Sequence, residues 1–110
     1  MQEISVSELA DWIGGSVGED GRSPLLLDVR EPWEHELCRL PGSLLIPMNE
    51  VPGRVRELDA EADIVVICHH GVRSMQVAMY LENNGFGSVR NLTGGVDAWA
   101  HEVDPSMPKY

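Results

Sequence analysis

The sequence predicts an α/β fold, a parallel sheet with helices on both of its faces. Three observations predict it. Short runs at Leu25–Val29, Leu44–Ile46 and Ile64–Ile67 are apolar but for Asp28, and strands buried on both faces read that way. Amphipathic segments with cap or stop signals lie between them. The order is strand, helix, strand, helix along the chain, which right-handed crossovers turn into parallel neighbours.

Each element has its own warrant. Gln2 to Ile4 suits a short edge strand. Ser5 and Glu8 fit a capping box, Ile4 and Leu9 a hydrophobic staple, and Val6, Leu9, Ala10 and Ile13 fall on one helical face. Gly14-Gly15 stops that helix. Ser16 to Pro24 reads as a polar loop. After the Leu25–Val29 strand, Pro32 suits a first helical turn, and Trp33 reads as packing rather than site. Leu40-Pro-Gly-Ser43 is a turn, and Pro47 ends the Leu44–Ile46 strand. Asn49 can cap the next helix, with Pro52 in its first turn. Val51, Val55 and Leu58 make its buried stripe, and Arg54, Arg56, Glu50 and Glu57 its solvated face. The helix after Ile64–Ile67 spans roughly Ser74 to Asn84, turns Met75, Ala78, Met79 and Leu81 toward the sheet, and stops at Gly85. Ser88 to Leu92 is the last strand. Thr93-Gly94-Gly95 leads into a short helix from Val96 to Ala100 with Trp99 buried. The tail, 101–110, is expected along the surface.

The stretch Ile64 to Ser74 carries the chemistry. The turn Cys68-His-His-Gly-Val-Arg73 joins the carboxyl end of a buried strand to a helix N-terminus, the rim where α/β sheets bind ligands. Unpaired amides and the helix dipole make that place an anion site. A thiol held there is drawn toward the thiolate, the form that attacks electrophiles. Arg73 adds a permanent charge, and Gly71 permits a backbone turn that side chains would block. Asp28 sits at the end of a neighbouring run, either as an orienting group on the same rim or as a cap for the following turn.

Composition narrows the function classes. The 110 residues suit one domain, with a core over about 4–100. A formal charge of −10 argues against nucleic acid, which demands a basic surface. No run approaches a membrane span, and no signal peptide is visible. Two cysteines far apart, Cys38 and Cys68, are not a disulfide framework and suit a cytoplasmic chain.

With these segments placed, the chain resembles a single-domain rhodanese from about Ile4 to Trp99. The residues that carry the resemblance are Leu27-Asp-Val-Arg-Glu-Pro-Trp-Glu34, Leu40-Pro-Gly-Ser-Leu-Leu-Ile-Pro47, Cys68-His-His-Gly-Val-Arg-Ser74 and Gly94-Gly-Val-Asp-Ala-Trp99. The resemblance implies a five-stranded parallel sheet wrapped by helices and a cysteine that carries sulfane sulfur. One departure stands out. Rhodanese-like chains usually read Gly-His-Ile-Pro-Gly where this one has Cys38-Arg-Leu-Pro-Gly42. A Gly there implies a special backbone angle or a tight contact. Cys38 is either an incidental packing thiol or a second thiol that resolves a persulfide on Cys68.

The function expected from this resemblance is sulfur transfer. Cys68 takes sulfur from a small anionic donor such as thiosulfate, and a thiol, cyanide or a partner protein thiol takes it onward. The amides of His69, His70, Gly71, Val72, Arg73 and Ser74 hold the persulfide, with Asp28 on the rim. Arg73 pins the turn or attracts the anion. His69 and His70 activate Cys68 or shape the mouth of the pocket. Adjacent residues wrap a tetrahedral ion poorly, so no metal and no cofactor is expected. A sulfur carrier serving a partner protein is the alternative. A phosphatase or arsenate reductase is a third reading, disfavoured because related cell-cycle phosphatases have one more residue between Cys and Arg than the four found here.

Overall fold

The computed structural model describes residues 1–15 and 23–110. The loop expected over Ser16 to Pro24 falls mostly outside them. Five strands, β1 (Gln2–Ile4), β2 (Leu25–Asp28), β3 (Leu44–Leu45), β4 (Ile64–Ile67) and β5 (Val89–Leu92), form one sheet in the order β1-β5-β4-β2-β3. Every pairing is parallel. The run of four apolar residues in β4 is buried throughout, because β4 lies at the centre with β2 and β5 on either side.

Strand alternation divides the core in two. Val65 and Ile67 pack on one face with α1 (Val6–Ile13) and α5 (Gly95–Glu102). Ile64, Val66 and Cys68 pack on the other with α3 (Val51–Arg54) and α4 (Val72–Asn83). A six-residue helix, α2 (Pro32–Leu37), follows β2 with Pro32 in its first turn. Among the described residues no helix is long and apolar enough to cross a membrane.

Most local signals hold. Ser5 and Glu8 form the capping box of α1, and Gly85 takes the left-handed conformation just past α4. Several do not. Asn49 caps nothing: Met48–Glu50 is a 3-10 turn that runs into α3. Trp33 is 60% exposed and packs edge-on against Tyr110 at the surface rather than in the core. In α4 the inward residues are Ser74, Val77, Ala78 and Leu81, at helical spacing, while Met75 and Met79 face outward at 41% and 51% exposure. A polar residue, Ser74, opens the buried face, and that hid its phase. The tail is not simply laid on the surface. Met107 is buried in the core with Trp99, and Tyr110 returns to the end of the sheet that carries Cys68.

Candidate active site

Cys68 follows β4 directly and is 1% exposed. Gly71 closes the turn with φ 101°, the left-handed region that favours glycine. A Cβ at Gly71 would lie 3.3 Å from both Gly94 N and Leu92 O, so a side chain there would also crowd the neighbouring backbone. This turn brings the Gly71 N–H to 3.0 Å from Cys68 Sγ. Ser74, in the first turn of α4, sets its Oγ 3.2 Å from the same sulfur.

The turn is held from behind. Val96 N–H donates to Cys68 O at 2.9 Å, and Asp97 N–H donates to His69 O at 3.0 Å. The first amides of α5 therefore take the carbonyls of the turn. Gly95 makes that approach possible, since a Cβ there would sit 2.4 Å from Cys68 O. The glycine pair that opens α5 is thus part of the site, and the double glycine after a strand was its signal in the sequence.

Asn91 is a second residue that sequence reasoning missed. It is a buried polar side chain in β5, a costly placement unless its hydrogen bonds are made. They are made: Nδ2 donates to Gly71 O at 3.0 Å and to Glu3 Oε1 at 3.1 Å, and Oδ1 accepts from Ser74 Oγ at 2.5 Å. Asn91 thereby ties the two groups nearest the sulfur, Gly71 and Ser74, to the sheet. A polar residue facing inward from a central strand was its one visible signal.

Arg73 pins the turn. Its Nη1 and Nη2 reach the two oxygens of Glu34 in α2 at 2.8 and 2.9 Å, a bidentate pair. The Arg73 hydrogen bonds, with smaller help from the Glu31 amide and the Tyr110 hydroxyl, hold the Glu34 carboxyl down to about 2 against the cost of burial. The same Glu34 bonds raise the pKa of Arg73. Val72 points its side chain to solvent at 67% exposure, so only its backbone belongs to the turn.

Asp28 lies away from the sulfur. It is paired in register with Ile67, so its side chain leaves the face opposite the one that holds Cys68. There it is fully buried against Arg30, also fully buried, with Nη2 and Nε at 2.7 and 2.9 Å. It also accepts the Arg30 amide at 3.1 Å. Of its two sequence readings, the cap for the following turn fits. Burial works against the Arg30 charge, and the Asp28 hydrogen bonds and charge more than offset it, raising the Arg30 pKa.

Cys38 packs on the Asp28 face and Cys68 on the other. The sheet separates the thiols, so Cys38 is not placed to resolve a persulfide on Cys68. Its φ of −162° is ordinary extended backbone, so no special angle is needed where related chains carry glycine. Its carbonyl accepts Arg30 Nη2 at 2.6 Å.

The two histidines differ. His70 is exposed, with Nε2 4.0 Å from Asp97 Oδ2. The His69 ring stacks on His70 at 4.0 Å and 29°, and on Tyr110 at 3.8 Å and 7°. Burial, then the neighbouring His70, lower the His69 pKa. His69, His70 and Asp97 bring one ligand atom each within 4.8 Å of one another.

A buried cysteine at the end of a central parallel strand, in a glycine turn backed by a helix, defines the class of the protein: an α/β protein built around a cysteine turn. The rhodanese-like domain model matches residues 5–102, and the chain belongs to that family. It is 41% identical over 86 residues to a sulfurtransferase of Allochromatium vinosum, covering 78% of this chain and 80% of that one. It is 41% identical over 114 residues to rhodanese-like/PpiC domain-containing protein 12, chloroplastic, of Arabidopsis thaliana, over the whole of this chain. It spans 38% of that relative's length. Among solved structures, a rhodanese-like domain protein from Staphylococcus aureus superimposes with a TM-score of 0.81 at 30% identity, covering 94% of this chain and 95% of that one.

Proposed function

We propose that this chain is a rhodanese-type sulfurtransferase that works as one domain and carries sulfane sulfur on Cys68. Relatives named sulfurtransferases support sulfur transfer in general terms. The observation that carries the reading here is the Cys68 sulfur in a turn whose Gly71 amide already points at it, with the Cys68 and His69 carbonyls drawn away by α5. That arrangement suits a buried sulfur anion.

Thiosulfate is the donor we assign. The Cys68 thiolate attacks its outer sulfur, a new S–S bond forms, and the old S–S bond breaks with its electron pair leaving on sulfite. Cyanide or a thiolate then attacks the outer sulfur of the persulfide and releases the Cys68 thiolate. One hard displacement becomes two easier ones. The turn amides from His69 to Ser74 stabilise the persulfide, and Arg73 holds the turn rather than moving protons, since it stays charged. The test is thiocyanate formation from thiosulfate and cyanide. Cys68→Ser is expected to abolish it, Cys38→Ser to leave it within about twofold, as for a residue outside the reacting groups. Activity that survives Cys68→Ser refutes the proposal.

A further inference from the structure

We propose that Tyr110 is a positioning residue of the Cys68 site, clamping both ends of the 69–73 turn. At one end its ring lies flat on His69, 3.8 Å away with the planes 7° apart. At the other its hydroxyl donates to Glu34 Oε2 at 2.7 Å, the carboxylate that holds Arg73 by two bonds. The hydroxyl also accepts Arg30 Nη1 at 2.8 Å. Burial leads in raising the Tyr110 pKa, so the phenol keeps the proton this chain of bonds needs.

The segment bearing Tyr110 is itself fixed. Val103 and Asp104 donate to Trp99 O at 2.9 Å, Met107 N–H closes a turn onto Asp104 O, and the Met107 side chain is buried among core residues. Tyr110 is therefore presented by the core. Its neighbour Trp33, edge-on at 5.7 Å, flanks the same ring. Three separate pieces of chain, α2, the cysteine turn and the C-terminal segment, meet at one side chain.

A clamp on both ends limits how far the turn can relax, and the amides around Cys68 stay aimed at an anion. The inference rests on reading that turn as an anion cradle, but its test does not need sulfur transfer. Iodoacetate and iodoacetamide alkylate a thiol with the same leaving group and nearly the same size; one is an anion and the other neutral. Their rate ratio at Cys68, read by peptide mass mapping, reports how well the turn receives negative charge. Tyr110→Leu keeps apolar bulk but loses the ring and the hydroxyl, and is expected to lower the ratio by about fivefold or more, as misplaced groups do.

Tyr110→Phe keeps the stack on His69, loses only the hydroxyl bonds, and is expected to lower the ratio by about twofold, a hydrogen bond's modest worth. If the Leu variant does not fold, the Phe variant alone decides: the twofold fall supports the clamp, and an unchanged ratio overturns it. A ratio that stays at the unaltered chain's value in both variants means that Tyr110 only anchors the tail, and overturns the proposal. An equal fall in both leaves the ring no part and overturns it too. A chain that accepts no sulfur from thiosulfate, yet shows the graded fall in ratio, would sink the proposed function and leave this inference standing.

Discussion

Ser74 has one hydroxyl proton and two neighbours that can use it. The proton goes to Asn91 Oδ1, while Cys68 Sγ lies 3.2 Å from Ser74 Oγ. With that proton spent, a neutral thiol supplies its own S–H to Ser74 Oγ. A sulfur anion has none to give, so the hydroxyl must turn to it and leave Asn91 short. Ser74→Ala is therefore expected to slow sulfur loading from thiosulfate about tenfold or more, since a bond to a charged group is worth about 1.5–3 kcal/mol. It should also cost about 1 kcal/mol of stability, because Asn91 Oδ1 is left unpaired in the core. Stopped-flow loading and urea unfolding measure the two effects separately. An unchanged loading rate would assign the anion to backbone amides alone. At this scale Cys68, Gly71 and Ser74 were legible, because their types have few other uses between a buried strand and a helix. Asn91 and Gly95 were not. They act through contacts that only the folded chain brings together.

Between elements, the Arg73–Glu34 pair joins the cysteine turn to α2. Glu34 has an ordinary value of 4.5 and is held to about 2 when folded. A carboxylate lowered on folding stabilises the protein above its ordinary range, and that contribution is lost as pH falls from about 4.5 toward 2. It amounts to about 2–3 kcal/mol, discounted because the Arg73 side chain is 36% exposed. Glu34→Gln is expected to destabilise by about that much at pH 7, and the difference from the unaltered chain should close as the pH approaches 2. Urea titrations of both proteins across that range check it. A difference that is constant with pH would mean that the pair contributes through packing and not charge. The strands and α1 were legible at this scale because burial on both faces and a capping box are local facts. The phase of α4 was not, since an inward serine breaks the apolar pattern. Asp28 was open for a related reason. Which face it leaves depends on its register with Ile67, and register is set between strands.

Over the whole molecule, charge and site oppose each other. The chain carries −10, and the two arginines nearest the turn and β2 are already paired, Arg73 with Glu34 and Arg30 with Asp28. The long-range field therefore repels an anionic donor, and salt should relieve the repulsion. The rate constant kcat/KM for thiosulfate is expected to rise about two- to threefold between low salt and 0.15 M ionic strength, where the Debye length is about 8 Å. A fall with salt would mean that local positive potential dominates the approach. Fold class was legible at this scale because alternating strands and helices leave few topologies. The tail was not legible. Two prolines and few apolar residues gave no sign that Met107 enters the core or that Tyr110 returns to His69 and Glu34.

Sulfur carried on Cys68 is the step on which the proposed chemistry depends. The most direct measurement is the intact mass of the protein before thiosulfate, after it, and again after cyanide, beside Cys68→Ser. A gain of one sulfur atom is expected, one that cyanide removes and that the variant never shows. No gain in the unaltered chain, or a gain that persists in Cys68→Ser, would contradict it.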